Sequence, residues 1–240
     1  TGATLAVFTV LNGLVLKTLP VPEPDRLVAI EVQNGRGEPS AFPGPLFDAL
    51  IARQQSLGQV SGVLGGSVVS VEAGGSAQQA VVDGVTASYF QLLAVPVVEG
   101  RALGPADYRA GTSDAGPVAV ISAVYATRMF GDAVQALGRA ITLGETTVTV
   151  VGVTPDTIPG IQIGVRTDIV VPAPVVGRII GLPPNSVPLR HVFGRLAQGR
   201  TVQGARAEWS TIWQSEVASA TSAGSRATAQ ERRLVVTPGA

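Results

Sequence analysis

Few residues of this 240-residue chain combine a reactive type with a useful spacing. His191 is the single histidine, at the start of the apolar stretch "RHVFGRLAQG". An imidazole can serve a serine nucleophile as general base, but no G-x-S-x-G elbow accompanies it, so His191 reads as a structural or surface residue with its hydrogen bonds satisfied. Two carboxylates from distant positions could share acid–base work. The acids of the best-patterned segment, Glu145 and Asp156 of "GRAITLGETTVTVVGVTPD", read instead as turn residues. Trp209 and Trp213, four apart, share a helix face and could form a ligand platform, yet their stripe is otherwise apolar and reads as core.

Other chemistries lack their residues. The chain has no cysteine, which removes disulfides, thiolate metal sites and thiol nucleophiles. With one histidine, a transition-metal site would rest largely on carboxylates, and neither H-E-x-x-H nor a calcium-loop spacing occurs. The one lysine, Lys17, follows no glycine-rich loop, so this chain holds no phosphate-cradling P-loop. The glycines of "GVLGGSVV" do not form G-x-G-x-x-G and do not lead into a helix. The sequence thus nominates no catalytic residue, no cofactor-binding residue, no metal ligand and no cofactor.

Composition narrows the class. Apolar residues make up 45%, charged residues 14%, and the formal net charge is zero, so nothing draws the whole chain to nucleic acid. Twenty-nine glycines and 17 prolines mark many short elements joined by turns. The uncharged run from Thr1 to Leu16 would span roughly 24 Å as a helix, short of the ~30 Å hydrocarbon core. With Lys17 after it rather than before it, the run is expected to be the end of a transmembrane helix rather than a signal peptide. Pro20, Pro22 and Pro24 forbid its continuation and give a stiff exit.

The elements that would position side chains follow from periodicity. "RLVAIEV" (26–32) alternates as a strand. In "GPLFDALIARQQSL", Leu46, Leu50 and Ile51 with Phe47 mark a helix opened by Pro45. Two glycine-broken strand segments follow, joined at Gly74 and Gly75. A short helical turn covers Ser88 to Leu93. Val118 to Ile121 form a strand leading into a helix capped by Ser122 and stopped by Gly131. The segment 138–156 forms a hairpin around Gly144-Glu145, with Ile141 and Leu143 on one face and Val148 and Val150 on one face of the return strand. Thr154 to Pro188 reads as loop apart from a strand in "DIVVPAPV". A strand at 190–199, a helix opened by Thr201, a polar loop over "TSAGSRATAQE" and a strand in "RLVVTPG" complete the chain.

This order predicts an α+β fold: a discontinuous domain, residues 20–94 and 189–240, each portion holding a split strand-helix-strand unit, with a β-rich subdomain inserted over 95–188. Residues 1–19 precede them as the membrane segment.

Five segments together resemble one family. They are "LNGLVLKTLPVPEPDRLVAI", "GVTASYFQLLAVPVVEGRALGPAD", "GPVAVISAVYATRMFG", "ALGRAITLGETTVTVVGVTPD" and "VFGRLAQGRTVQGARAEW". Their order and spacing are similar to the extracytoplasmic core domain of MacB/FtsX-type ABC transporter permeases, over nearly the whole chain. The resemblance implies a porter-like subdomain carrying an inserted subdomain, set between two transmembrane helices on the periplasmic or extracellular side of the bacterial inner membrane. It implies a non-catalytic role, coupling ATPase-driven motion of membrane helices to extracytoplasmic handling of a substrate or partner. The implied partners are the membrane, an ATP-binding subunit or domain, a second permease copy or half, and a periplasmic or outer-membrane protein. Two other readings stay open on the residues alone: a membrane-tethered ligand-binding or adhesion module, and a hydrolase using His191 or a carboxylate pair.

Overall fold

The computed structural model describes residues 21–108, 116–155, 166–183, 186–219 and 231–239. The expected membrane segment, Lys17, Asp156 and most of the polar loop after the last helix lie outside them. In chain order, a 3-10 turn (Pro24–Arg26) leads into β1 (Leu27–Gln33), β2 (Pro39–Ser40), α1 (Gly44–Arg53), β3 (Leu57–Val63), β4 (Ser67–Ala73) and β5 (Ser76–Val85). Next come α2 (Tyr89–Leu93), β6 (Glu99–Gly100), a 3-10 turn (Pro105–Tyr108), β7 (Val118–Ser122), α3 (Ala123–Phe130), α4 (Ala133–Ala136), β8 (Ala140–Leu143) and β9 (Thr146–Thr154). The chain then runs through β10 (Ile169–Pro172), α5 (Ala173–Ile179), β11 (His191–Leu196), α6 (Val202–Ser219) and β12 (Arg233–Pro238). The fold is α+β.

Two compact units form, one from residues 1–62 with 188–240, the other from 63–187. The first division therefore falls upstream of the expected 94/95, because β4 and β5 pair with strands of the central region. Glycine-broken β3, β4 and β5 look alike in sequence. Only their partners separate them.

Unit 1 is an open sheet in the order β3-β11-β1-β12, with β2 on β1. β1 was expected to alternate, yet Leu27, Val28, Ala29 and Ile30 are all buried; it is an inner strand, paired with β11 and β12. On α1 the buried pair is Phe47 and Leu50, while Leu46 and Ile51 are half-buried. α6 follows the expected spacing, burying Ala205, Trp209, Ile212, Trp213 and Val217. Thr201 opens it, its hydroxyl accepting from the Gly204 N–H at 3.1 Å. Phe42 meets Phe47 and Trp213 edge-on, at 6.0 and 5.7 Å between ring centroids, the arrangement that ring quadrupoles favour.

Unit 2 is a sheet closed on itself. The ring runs β10-β7-β9-β8-β4-β5 and returns to β10 through a parallel pairing of Ile169–Pro172 with Val82–Val85. Its hairpins carry the turn chemistry their sequences announced. Gly74 and Gly75 have φ of 57° and 83° between Ala73 and Ser76, and Gly144 has φ of 61° ahead of Glu145, between Leu143 and Thr146. Val71 opposes Leu143, and Ile141 opposes Val148, so with Val150 they share one face, and all are buried. The Ser122 hydroxyl caps α3 through the Tyr125 N–H at 3.1 Å. α4 and α5 were not expected. α4 is a single turn capped by Asp132, too short to show a period, and α5 begins inside "DIVVPAPV", which reads as a strand, and runs on into a stretch that reads as loop.

Candidate functional site

Of the residues nominated for chemistry, His191, Trp209 and Trp213 belong to unit 1 and Glu145 to unit 2. His191 opens β11 half-buried, its ring parallel to that of Phe193 at 6.4 Å. Its Nε2 has no hydrogen-bond partner among the described residues, contrary to the satisfied histidine expected. Burial, with help from the Arg190 charge, holds its pKa below the usual value, so the ring is neutral at pH 7. Glu145 is exposed in its turn. Trp209 and Trp213 are buried.

Several acidic side chains elsewhere are bound to backbone or to arginine. The Glu208 carboxylate accepts from the N–H groups of Gln55 and Ser56, both at 2.9 Å, at the start of β3. Asp107 takes a two-pronged Arg101 at 2.7 and 2.8 Å and the Gly104 N–H, and these bonds pull its pKa below the usual carboxylate range.

Unit 2 holds its polar groups where the ring closes. Asp83 of β5 is buried, and its Oδ2 accepts from the Thr167 hydroxyl at 2.5 Å. Burial raises its pKa, and the Thr167 bond only partly opposes this. Beside it, Asp168 accepts from the Val81 N–H at 3.0 Å and lies 3.5 Å from Arg128. That guanidinium sits 5.0 Å from the centre of the Tyr125 ring. Burial pushes the Tyr125 phenol up to about 12. These groups bridge the β5–β10 seam, and their chemistry is that of a fastening.

In unit 1 a cluster of hydrogen bonds lies at one end of the sheet, its base, where β1 begins and β12 ends. The Gly239 N–H donates to the Leu27 carbonyl at 2.8 Å, closing the β1–β12 pair. Arg195, directly opposite Leu27 on β11, is buried and donates to the carbonyls of Pro22 and Glu23. Arg26 reaches the other way, donating from Nε and Nη2 to the Leu196 carbonyl at 3.1 and 2.6 Å. Glu23, between two prolines, adopts φ 46°, ψ 59°, a left-handed conformation that costs roughly 1–2 kcal/mol for a residue with a Cβ. Its carboxylate pairs with Arg26, and its carbonyl accepts from Arg195. Two arginines thus hold a strained turn, and hydrogen bonds to a charged donor are strong enough to do so. Nothing in the sequence marked Arg26 or Arg195, because their acceptors are backbone carbonyls far along the chain.

No helix among the described residues is long and apolar enough to cross a membrane. No curated protein matches the chain in sequence. Solved structures do match its fold. The periplasmic region of MacB from Actinobacillus actinomycetemcomitans superposes with a TM-score of 0.67 at 13% identity, covering 94% of each chain. The extracellular domain of the ABC-type transporter YknZ from Gram-positive bacteria gives 0.62 at 14%, covering 87% of this chain and 99% of that one. A permease-protein domain from Porphyromonas gingivalis gives 0.61 at 15%, covering 91% and 92%. The family description of the MacB-like periplasmic core domain matches residues 1–212. The chain belongs to this family and is a periplasmic domain of a MacB-like ABC transporter permease.

Proposed function

We propose that the clamped base of unit 1 is where motion of flanking membrane helices enters the domain, and that the chain is a non-catalytic coupler. It links ATPase-driven movement of the membrane part to the handling of a substrate or partner outside the membrane. Residues 1–19 serve as the end of the preceding membrane helix. An ATP-binding subunit and a second permease copy are the working partners. The observation that carries this reading is the direct bond between the arriving and departing strands, Gly239 to Leu27, reinforced by Arg26 and Arg195. A displacement of either flank is shared by β1, β11 and β12 instead of being absorbed in a loop. Acidic groups tied to backbone N–H and arginine, rather than gathered around a cleft, support a mechanical role.

The test uses the full permease with its ATPase. Replacing residues 22–26 by a flexible Gly-Ser linker should leave ATP hydrolysis in place and abolish transport. Joining Ala29 and Thr237, which are opposed on β1 and β12, through a cysteine pair should leave transport intact, because that pair already moves as one. Transport that survives the linker would defeat the proposal.

A further inference from the structure

We propose that the groove between α6 and the outer edge of β12 is a docking site for an extended acidic segment of a partner protein, which joins β12 as an additional strand. This surface belongs to unit 1 alone and does not depend on the coupling role.

β12 is the last strand of its sheet, and the pattern of its bonds shows which groups it offers. Because Gly239 bonds Leu27, the inward-bonding residues of β12 are 233, 235 and 237, and the backbone groups of Leu234 and Val236 point away from β1. The Val236 carbonyl is met by Arg206 of α6, from Nε at 3.1 Å and Nη2 at 2.8 Å. Pro238 has no N–H. One end of the edge is therefore closed against pairing, a common protection, while the Leu234 N–H and C=O and the Val236 N–H point away from β1, and Leu234 lines a groove of about 670 Å³.

The lining of that groove selects the occupant. Trp213, Val217 and Leu234 form an apolar floor, and Arg206, Arg232 and Arg233 supply the charge, with no carboxylate among the described lining residues. Arg232 is half-buried and Arg233 exposed. Nearby Glu216 is engaged by Arg53. A strand that adds to β12 gains main-chain hydrogen bonds for affinity, and alternate side chains for specificity. Here one row of side chains would meet the apolar floor and carboxylates would meet the guanidinium forks, which suit them geometrically.

The probe is a capped peptide of alternating valine and glutamate, titrated into the chain while the amide signals of Leu234 and Val236 are followed by NMR. Binding should shift both signals and slow their exchange. The glutamine-for-glutamate peptide should bind about tenfold more weakly, and Arg232→Gln or Arg233→Gln should each cost about tenfold with unchanged thermal unfolding. A peptide N-methylated at alternate amides should not bind, a control that leaves the protein untouched. Equal binding of the N-methylated peptide or of a valine–lysine peptide would overturn the proposal. So would self-association of the chain that the arginine variants abolish and the peptide does not compete with, which would make the occupant a second copy. Binding to vesicles of anionic lipid with none to the peptide would overturn it in favour of a membrane surface.

Discussion

Unit 1 and unit 2 solve the edge of a β-sheet in opposite ways. Unit 2 bonds its last strand to its first, through the parallel β5–β10 seam, and fastens the seam with Asp83, Thr167 and Asp168. Unit 1 keeps its sheet open and manages the ends with arginines, Arg195 and Arg26 at the base and Arg206 on the β12 edge. Closure removes the exposed row of N–H and C=O groups, whereas an arginine fork blocks one carbonyl and leaves its neighbours available. A closed ring suits a body that keeps its shape. An open sheet suits one that receives connections.

The comparison can be broken at four places. If unit 1 depends on α6 covering its sheet, Trp209→Ala should lower its stability most, by about 3–5 kcal/mol, since Trp209 is fully buried; hydrogen exchange in β1 and β11 reads this, and an effect below that of a surface change would break the assignment of the core. If the unit 2 ring is held to fixed geometry, Gly152→Ala should cost about 1–3 kcal/mol. An added Cβ there would stand 2.1 Å from the Arg101 carbonyl oxygen, and the Arg101 amide, bonded to the Val151 carbonyl, should exchange faster. Arg195→Met should cost about 1–2 kcal/mol by leaving the Pro22 and Glu23 carbonyls without their charged donor. Chemical denaturation measures it, and a neutral result would mean that the clamp holds nothing.

The smallest effect concerns pH. Asp83 has its pKa raised by burial, so its folded form holds a proton more tightly than its unfolded form. Its contribution to stability is full below the unfolded pKa, about 3.9, and is lost as pH rises through the folded value. Asp83→Asn keeps an acceptor for Thr167 and should remove this part of the pH dependence of unit 2. Parallel profiles for the two proteins, from pH 4 upward, would show that the seam carboxyl is not desolvated.

What could be read in the sequence was local. The Gly74-Gly75 and Gly144-Glu145 turns, the Ser122 cap and the α6 stripe all appear where their spacing put them, because each depends on residues within one or two turns of chain. The unit boundaries were not legible in the same way. They depend on which strands β4 and β5 choose, and residues 82–85 carry no mark of their pairing with 169–172. The alternation read into β1 failed because Leu27, Val28, Ala29 and Ile30 are buried in succession, and successive side chains point to opposite faces, so both faces are covered there. The arginines at the base and the buried Asp83 were missed for one reason: their partners are distant backbone or side-chain atoms that no spacing rule connects.

The bond between Gly239 and Leu27 also bears on how such a module travels between proteins. Its two connections stand one strand spacing apart, about 4.8 Å, so a host loop that accepts the whole domain is hardly stretched by it. Domains whose ends lie close together tolerate insertion and circular permutation. Cutting the chain in an exposed turn and joining these two ends by a short linker should therefore give a permuted protein with the same sheet.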